Sequence, residues 1–238
     1  VGPRSPGDYY LYDIKQAKLD FITSDEPWLE PENLAAVEVL KSPMRDGTTI
    51  TSYLTRPNGV AGPLPLVVVP HGGPEQRDAI DYDPLAQAFA AQGWLVLQPN
   101  FRGSGGYGKA FAEAGHREWA RRMQDDVTDA VNDLVKRKLA DPDRIAIYGA
   151  SYGGYAALFG AIQTPDLYRA AVSLAGCATE RAYEGPALAK DERAVVRADP
   201  VVSAGLPVQV RIRQADGHDI GLSASKVELP PGKHSFVI

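Results

Sequence analysis

Residues 145–160 read Ile-Ala-Ile-Tyr-Gly-Ala-Ser-Tyr-Gly-Gly-Tyr-Ala-Ala-Leu-Phe-Gly, and this run constrains the fold more than any other. Residues 145–148 are a short apolar stretch suited to a buried parallel strand. Gly149-Ala150-Ser151-Tyr152-Gly153 is a Gly-x-Ser-x-Gly turn, and residues 155–160 read as a small-residue helix. A serine between such a strand and helix is the pattern of a nucleophile elbow. The flanking positions must be nearly bare, because strand and helix approach closely there. The helix N-terminus then faces the reacting oxygen, which favours a developing negative charge. Ser151 is therefore the expected nucleophile. The competing reading is a glycine-rich βα turn with an idle serine.

The rest of the chain supplies the context such an elbow needs. Residues 37–40 and 49–56 read as strands around the turn Arg45-Asp46-Gly47. Residues 66–69 form a continuous apolar strand ending at His71-Gly72-Gly73-Pro74, and residues 94–97 another, leading into residues 99–103. Helices are expected over 84–92 and over 118–138, the second with Met123, Val127, Val131, Leu134 and Val135 on one face. A last strand covers residues 170–174. Strands alternating with helices imply an α/β fold with a mostly parallel sheet covered on both faces. Ahead of it, residues 8–24 read as a β-hairpin and residues 27–31 as a Pro-spaced linker. The expected division is residues 1–35 as hairpin and linker, and 36–238 as the α/β domain.

Charge and composition exclude several functions. A formal net charge of −5 leaves no basic face for nucleic acid or an anionic membrane. No stretch approaches the ~18 apolar residues of a membrane span. The single cysteine, Cys177, excludes an intrachain disulfide and reads as a buried structural thiol. Four histidines and no Cys/His cluster argue against a zinc site, so neither metal nor organic cofactor is expected. The chain opens at Val1 without an initiator Met or signal-peptide pattern, as expected of a processed or excised piece. Compartment and oligomeric state stay open.

Acyl transfer at Ser151 needs a base, a group to orient it, and donors for the oxyanion. The amide of Tyr152, the residue after the nucleophile, supplies one donor. The glycines after the strand at 66–69 are placed to supply the second, Gly73 in preference to Gly72. His71 precedes the nucleophile, against the Ser…Asp…His order of this architecture, so it reads as a loop organiser. The glycine-rich residues 100–108 lack both nucleotide-binding spacings. They bring Arg102 and Tyr107 towards the substrate or serve as a structural loop.

These residues together resemble the prolyl oligopeptidase family of serine peptidases, nearest its acylaminoacyl-peptidase and dipeptidyl-peptidase-like branches. The resemblance rests on His71-Gly72-Gly73-Pro74, residues 98–108, Asp125-Asp126-Val127, Asp141-Pro142-Asp143-Arg144 and residues 149–155, and runs from about residue 34 to 174. It implies an α/β-hydrolase fold, the oxyanion pair Gly73 and Tyr152, and a short peptide or acylated peptide as substrate. Residues 8–24 likewise resemble the last hairpin of the β-propeller that precedes the hydrolase domain in that family.

The C-terminal part departs from the family pattern. Asp216-Gly217-His218-Asp219-Ile220-Gly221-Leu222 stands where the catalytic Asp is expected, and its spacing to Leu222 favours Asp219 over Asp216. Residues 227–236 resemble the loop of the catalytic histidine, which makes His234 the expected base, ahead of His218. His116 reads as a surface residue. Only 14 residues separate Asp219 from His234, short for a crossover of at least ~10–12 residues plus its flanking strands. Two readings compete: an abbreviated Ser151–Asp219–His234 triad, or a C-terminus truncated or diverged into a β-hairpin. The expected function is thus a serine hydrolase of short peptides, with a carboxylesterase or a non-catalytic binding module on the same scaffold as alternatives.

Overall fold

The computed structural model describes residues 2–176 and three two-residue strands further on. A two-stranded antiparallel hairpin comes first, β1 (Asp8–Asp13) with β2 (Lys18–Ser24), where the sequence places one. The remaining elements to residue 176 are β3 (Ala36–Pro43), β4 (Thr49–Arg56), β5 (Leu64–Val68), α1 (Pro84–Ala91), β6 (Leu95–Asn100), α2 (Lys109–Glu113), α3 (Arg122–Lys136), β7 (Ala140–Ala150), α4 (Tyr152–Gln163) and β8 (Ala170–Leu174).

One six-stranded sheet organises them, in the order β3-β4-β6-β5-β7-β8. The strands β6, β5, β7 and β8 run parallel, and β3 and β4 add an antiparallel edge. The parallel strands are apolar on both faces because helices cover both: Leu66, Leu95 and Ile145 are buried on one face, Val67 and Val96 on the other. From α3, Met123, Val127, Val131 and Leu134 enter the core, four of the five residues the helical period singles out, and Val135 packs at its edge. Each fully buried Leu, Ile or Val adds roughly 1.5–3 kcal/mol relative to exposure.

Pro99 lies in the interior strand β6, where a proline normally removes a ladder bond. Pairing with β5 covers only Leu95, Val96 and Leu97. The Leu97 carbonyl accepts from Val69 N at 2.8 Å, so alternate residues 95, 97 and 99 address that side. The next bond of this parallel ladder would need an N–H at position 99, so Pro99 ends the β5–β6 pairing there.

Two expectations shift. The long helix begins at Arg122 rather than 118, because Arg117 (φ 62°) and Ala120 (φ 55°) adopt left-handed backbone that an α-helix cannot propagate. The elbow strand extends back to Ala140, since residues 141–144 form a bulge between its pairings with Leu64 and Leu66. Further on, β9 (Gln214–Ala215) pairs antiparallel with β10 (His218–Asp219) and β11 (Phe236–Val237). Cys177 lies outside the described residues. No helix among the described residues is long and apolar enough to cross a membrane.

Candidate active site

The C-terminal ends of all four parallel strands deliver the site, as expected of an open α/β sheet. The loop after β5 carries residues 71–78, the loop after β6 carries residues 101–108, β7 runs into Ser151, and β8 ends at Leu174. Leu174 O accepts the Ser151 amide at 2.9 Å, and Ser151 O accepts the Tyr155 amide at 3.0 Å. The elbow is thus fixed to its neighbouring strand and to its own helix.

Ser151 has φ 55° and ψ −121°, a conformation costing a non-glycine residue roughly 1–3 kcal/mol. Strand, helix and the loop after β5 pack closely around it. A Cβ at Gly149 would strike the Gly153 backbone, and one at Gly153 would strike Pro70 O. Both glycines of the Gly-x-Ser-x-Gly turn are therefore required by contact as well as by motif. The Ser151 side chain is exposed at the start of α4 and makes no capping bond.

The second loop lies directly against this turn. A Cβ on Gly72 would sit 3.7 Å from Ser151 Cβ and 3.6 Å from Ala150 O. Gly73 has φ +115°, and a Cβ there would crowd the amides of Glu75 and Gln76 at 2.6 Å. Among the described residues the amides of Gly73 and Tyr152 donate no hydrogen bond, so both stay available as donors.

His71 is committed to holding its own loop. Its Nδ1 is 2.8 Å from Gly72 O and its Nε2 2.8 Å from Ser104 Oγ, and its ring stacks on Phe101 at 4.4 Å. Burial holds this imidazole below its ordinary pKa. A neutral ring has one proton, and because Gly72 O only accepts, that proton is on Nδ1. Nε2 then accepts, and the Ser104 hydroxyl proton is shared between it and Phe101 O, 2.6 Å away.

Arg102 faces inward, so the reading that offers it to substrate gives way. Its Nε and Nη2 bond Asp126 at 2.8 and 2.6 Å, and its Nη1 bonds Asp46 at 2.8 Å. The side chain is 6% exposed and that of Asp126 0%. Asp126 accepts from the Arg102 amide as well, at 2.8 Å. Bonding to Asp126 raises the guanidinium further above its already high range, and bonding to Arg102 holds Asp46 far below the usual carboxylate value. This network ties the β3–β4 turn and α3 to the loop after β6. It escaped the sequence reading because Asp46 lies 56 positions from Arg102 in the chain.

Tyr107 is half-buried, and its hydroxyl accepts from Asn100 Nδ2 at 2.9 Å. Asn100 also bonds both backbone groups of Asp78, joining the two loops. Asp78 Oδ2 is buried without a partner. Burial, with Asp83 adding repulsion, pushes this carboxyl up to about 7.

For the expected acid and base, only backbone is described at Asp219 and at the alternative base His218. Both residues lie in β10, Asp219 paired with Gln214 and His218 with Ala215. His234 and Asp216 lie outside the described residues.

Comparison with known proteins agrees with this geometry. Residues 81–191 match the model of the prolyl oligopeptidase family. Dipeptidyl aminopeptidase BIII of Pseudoxanthomonas mexicana is 41% identical over 180 residues, which cover 72% of this chain and 26% of that protein. The chain belongs to the prolyl oligopeptidase family. It spans about a quarter of the length of this curated relative. Among solved structures, a Mycobacterium tuberculosis puromycin-hydrolyzing peptidase superposes with a TM-score of 0.65 at 29% identity, covering 74% of this chain and 28% of that one. A Pyrococcus horikoshii acylaminoacyl peptidase gives a TM-score of 0.64 at 24% identity over the same share of each, a likeness of fold. The fold is that of an α/β hydrolase.

Proposed function

We propose that this chain is the catalytic part of a serine peptidase that cleaves short peptides or acylated amino acids through an acyl-enzyme on Ser151. The observation that carries this is the strained, glycine-enforced turn at Ser151, with Gly72 packed beside its Cβ. Ser151 Oγ attacks the substrate carbonyl carbon and gives its proton to the base, His234 in the sequence reading. The amides of Tyr152 and Gly73 stabilise the oxyanion. The base returns the proton to the leaving amine as the carbon–nitrogen bond breaks, and water then releases the acyl group. Asp219 orients the imidazole. Residues 1–35 are the hairpin and linker that resemble a propeller-blade remnant, a reading supported by the exposure of Tyr9, Tyr10, Leu11 and Phe21, and Gln87 and Tyr82 tie the linker to the catalytic domain through Ala35 N and Glu26. Relatives named dipeptidyl aminopeptidase and acylamino-acid-releasing enzyme support peptides as the substrate class.

The test is covalent labelling by a fluorophosphonate of the wild type, Ser151→Ala and His234→Ala. Labelling of the wild type that is lost in both variants is the expected result. Loss in Ser151→Ala alone moves the base to another residue, and a folded wild type that resists labelling overturns the peptidase reading.

A further inference from the structure

The loop after β5 is anchored at its start, its middle and its end. His71 holds the start, and in the middle the Glu75 and Gln76 carbonyls accept the Gly105 amide at 3.1 Å. The end is held by Asn100, fully buried at the close of β6. Its Oδ1 accepts the Asp78 amide at 2.8 Å, and its Nδ2 donates to Asp78 O at 3.1 Å. Gly72 and the proposed oxyanion donor Gly73 lie between these anchors, with Gly72 against Ser151. A shift at residue 78 therefore reaches the nucleophile through a short, tightly folded piece of chain.

Two carboxyl groups meet at this end of the loop, and hydrogen-bond donors are divided unequally between them. Asp83, the N-cap of α1, accepts from Leu85 N at 2.8 Å, Ala86 N at 3.0 Å and Gln98 Nε2 at 2.8 Å. Asp78 Oδ2 is buried and accepts from none. The neighbouring amide of Asn100 is already given to Asp78 O and Tyr107 Oη. Tyr107 in turn pairs with Tyr53 of β4, and Arg77 acts on that tyrosine, whereas burial and Asp83 alone perturb the Asp78 carboxyl. A buried carboxyl without donors is costly in its charged form, and a second negative charge nearby raises the cost. Together they push this group up to about 7.

We infer that Asp78 is a positioning residue for the reaction: its neutral carboxyl lets the loop end stay seated on Asn100, and its ionisation releases that end and misaligns the Gly73 amide. The inference rests on Ser151 being the nucleophile and Gly73 an oxyanion donor. On ionisation the proton passes to solvent, and the carboxylate turns towards water to be hydrated. That rotation pulls the Asp78 backbone off its two bonds to Asn100. The sign is opposite to that of a histidine base, which gains activity as pH rises.

The experiment measures the fluorophosphonate labelling rate of Ser151 in the full chain from pH 5 to pH 9, in the wild type and in Asp78→Asn, which keeps the shape of the carboxyl without its charge. The ratio of variant to wild-type rate cancels the titration of the base. It is expected to stay near one at pH 5 and to climb with a midpoint of about 7. By pH 9 it should reach at least about ten, within the roughly 10²–10³ that loss of one oxyanion donor costs. A ratio that does not change with pH overturns the positioning role and leaves the nucleophile standing. If Asp78→Asn fails to fold, the wild type decides alone through the infrared carbonyl band of a buried protonated carboxyl. That band is expected at pH 6 and lost by pH 9, and its absence at pH 6 overturns the inference. A folded wild type that is labelled at no pH removes the nucleophile, and this inference with it.

Discussion

At the scale of single residues, the site is built from groups held in states they would not adopt alone. Ser151 has a left-handed backbone in a turn where Gly149 and Gly153 pack too closely, against each other and against Pro70 O, to admit a Cβ. Asp78 keeps a carboxyl with a buried, unpartnered oxygen because Asn100 holds its backbone in place. Its pKa is pushed up to about 7, so the folded protein binds a proton that the unfolded chain has released at lower pH. The stability due to this proton is present below the ordinary carboxylate value and is lost as pH rises towards about 7. His71 works in the opposite sense, because its lowered pKa favours folding in the neutral form and weakens it as pH falls below the ordinary imidazole value. Asp78→Asn is therefore expected to raise the melting temperature at pH 8 and to change it much less at pH 5. Thermal melts at the two pH values check this, and an equal shift at both would remove Asp78 as the cause.

Between elements, the decisive contact is the Arg102–Asp126 pair, which joins α3 to the loop after β6, with Asp46 bringing in the β3–β4 turn. Removing one partner of a buried pair leaves an uncompensated charge, at a cost of about 3–5 kcal/mol. Asp126→Asn should lower the denaturation midpoint accordingly. The double variant Arg102→Met with Asp126→Leu should recover much of that loss, because no buried charge is left unpaired and Asp46, 34% exposed, stays hydrated. If Asp126→Asn unfolds at the wild-type denaturant concentration, the pair is not what fixes this loop. The sequence showed Arg102 and Asp126 in family motifs yet left open whether Arg102 faces substrate or belongs to a structural loop, since spacing records neither burial nor which distant carboxylate a guanidinium meets. The elements themselves were more legible. The apolar face at 123, 127, 131 and 134 was readable because burial imposes the 3.6-residue period directly on the residue order. The start of α3 was not readable, because two left-handed residues of ordinary type carry no pattern signal.

For the whole molecule, buried and exposed apolar surface divide sharply. The sheet core holds Leu95, Leu97, Ile145 and Ile147 out of solvent, whereas the hairpin exposes Tyr10, Tyr12, Leu19 and Phe21 at more than half of their full area. Leu97→Ala should cost about 2–5 kcal/mol through transfer and cavity terms. Phe21→Ala should stay within about 0.5 kcal/mol, as surface changes do. Equilibrium unfolding of both variants measures the contrast, and a large loss in Phe21→Ala would mean that the hairpin packs on the main body. The sequence by itself determined the α/β class, the strand–serine–helix turn and the order of the loops around it, because short-range periodicity and the steric demands of glycine are written in consecutive residues. Only the tertiary structure decided that Arg102 turns inward, that both nitrogens of His71 are engaged, that one carboxylate oxygen of Asp78 is buried and that Trp119 packs on Tyr152 beside the elbow. Each of these depends on which distant segments the sheet brings into contact, and on how much water that contact excludes.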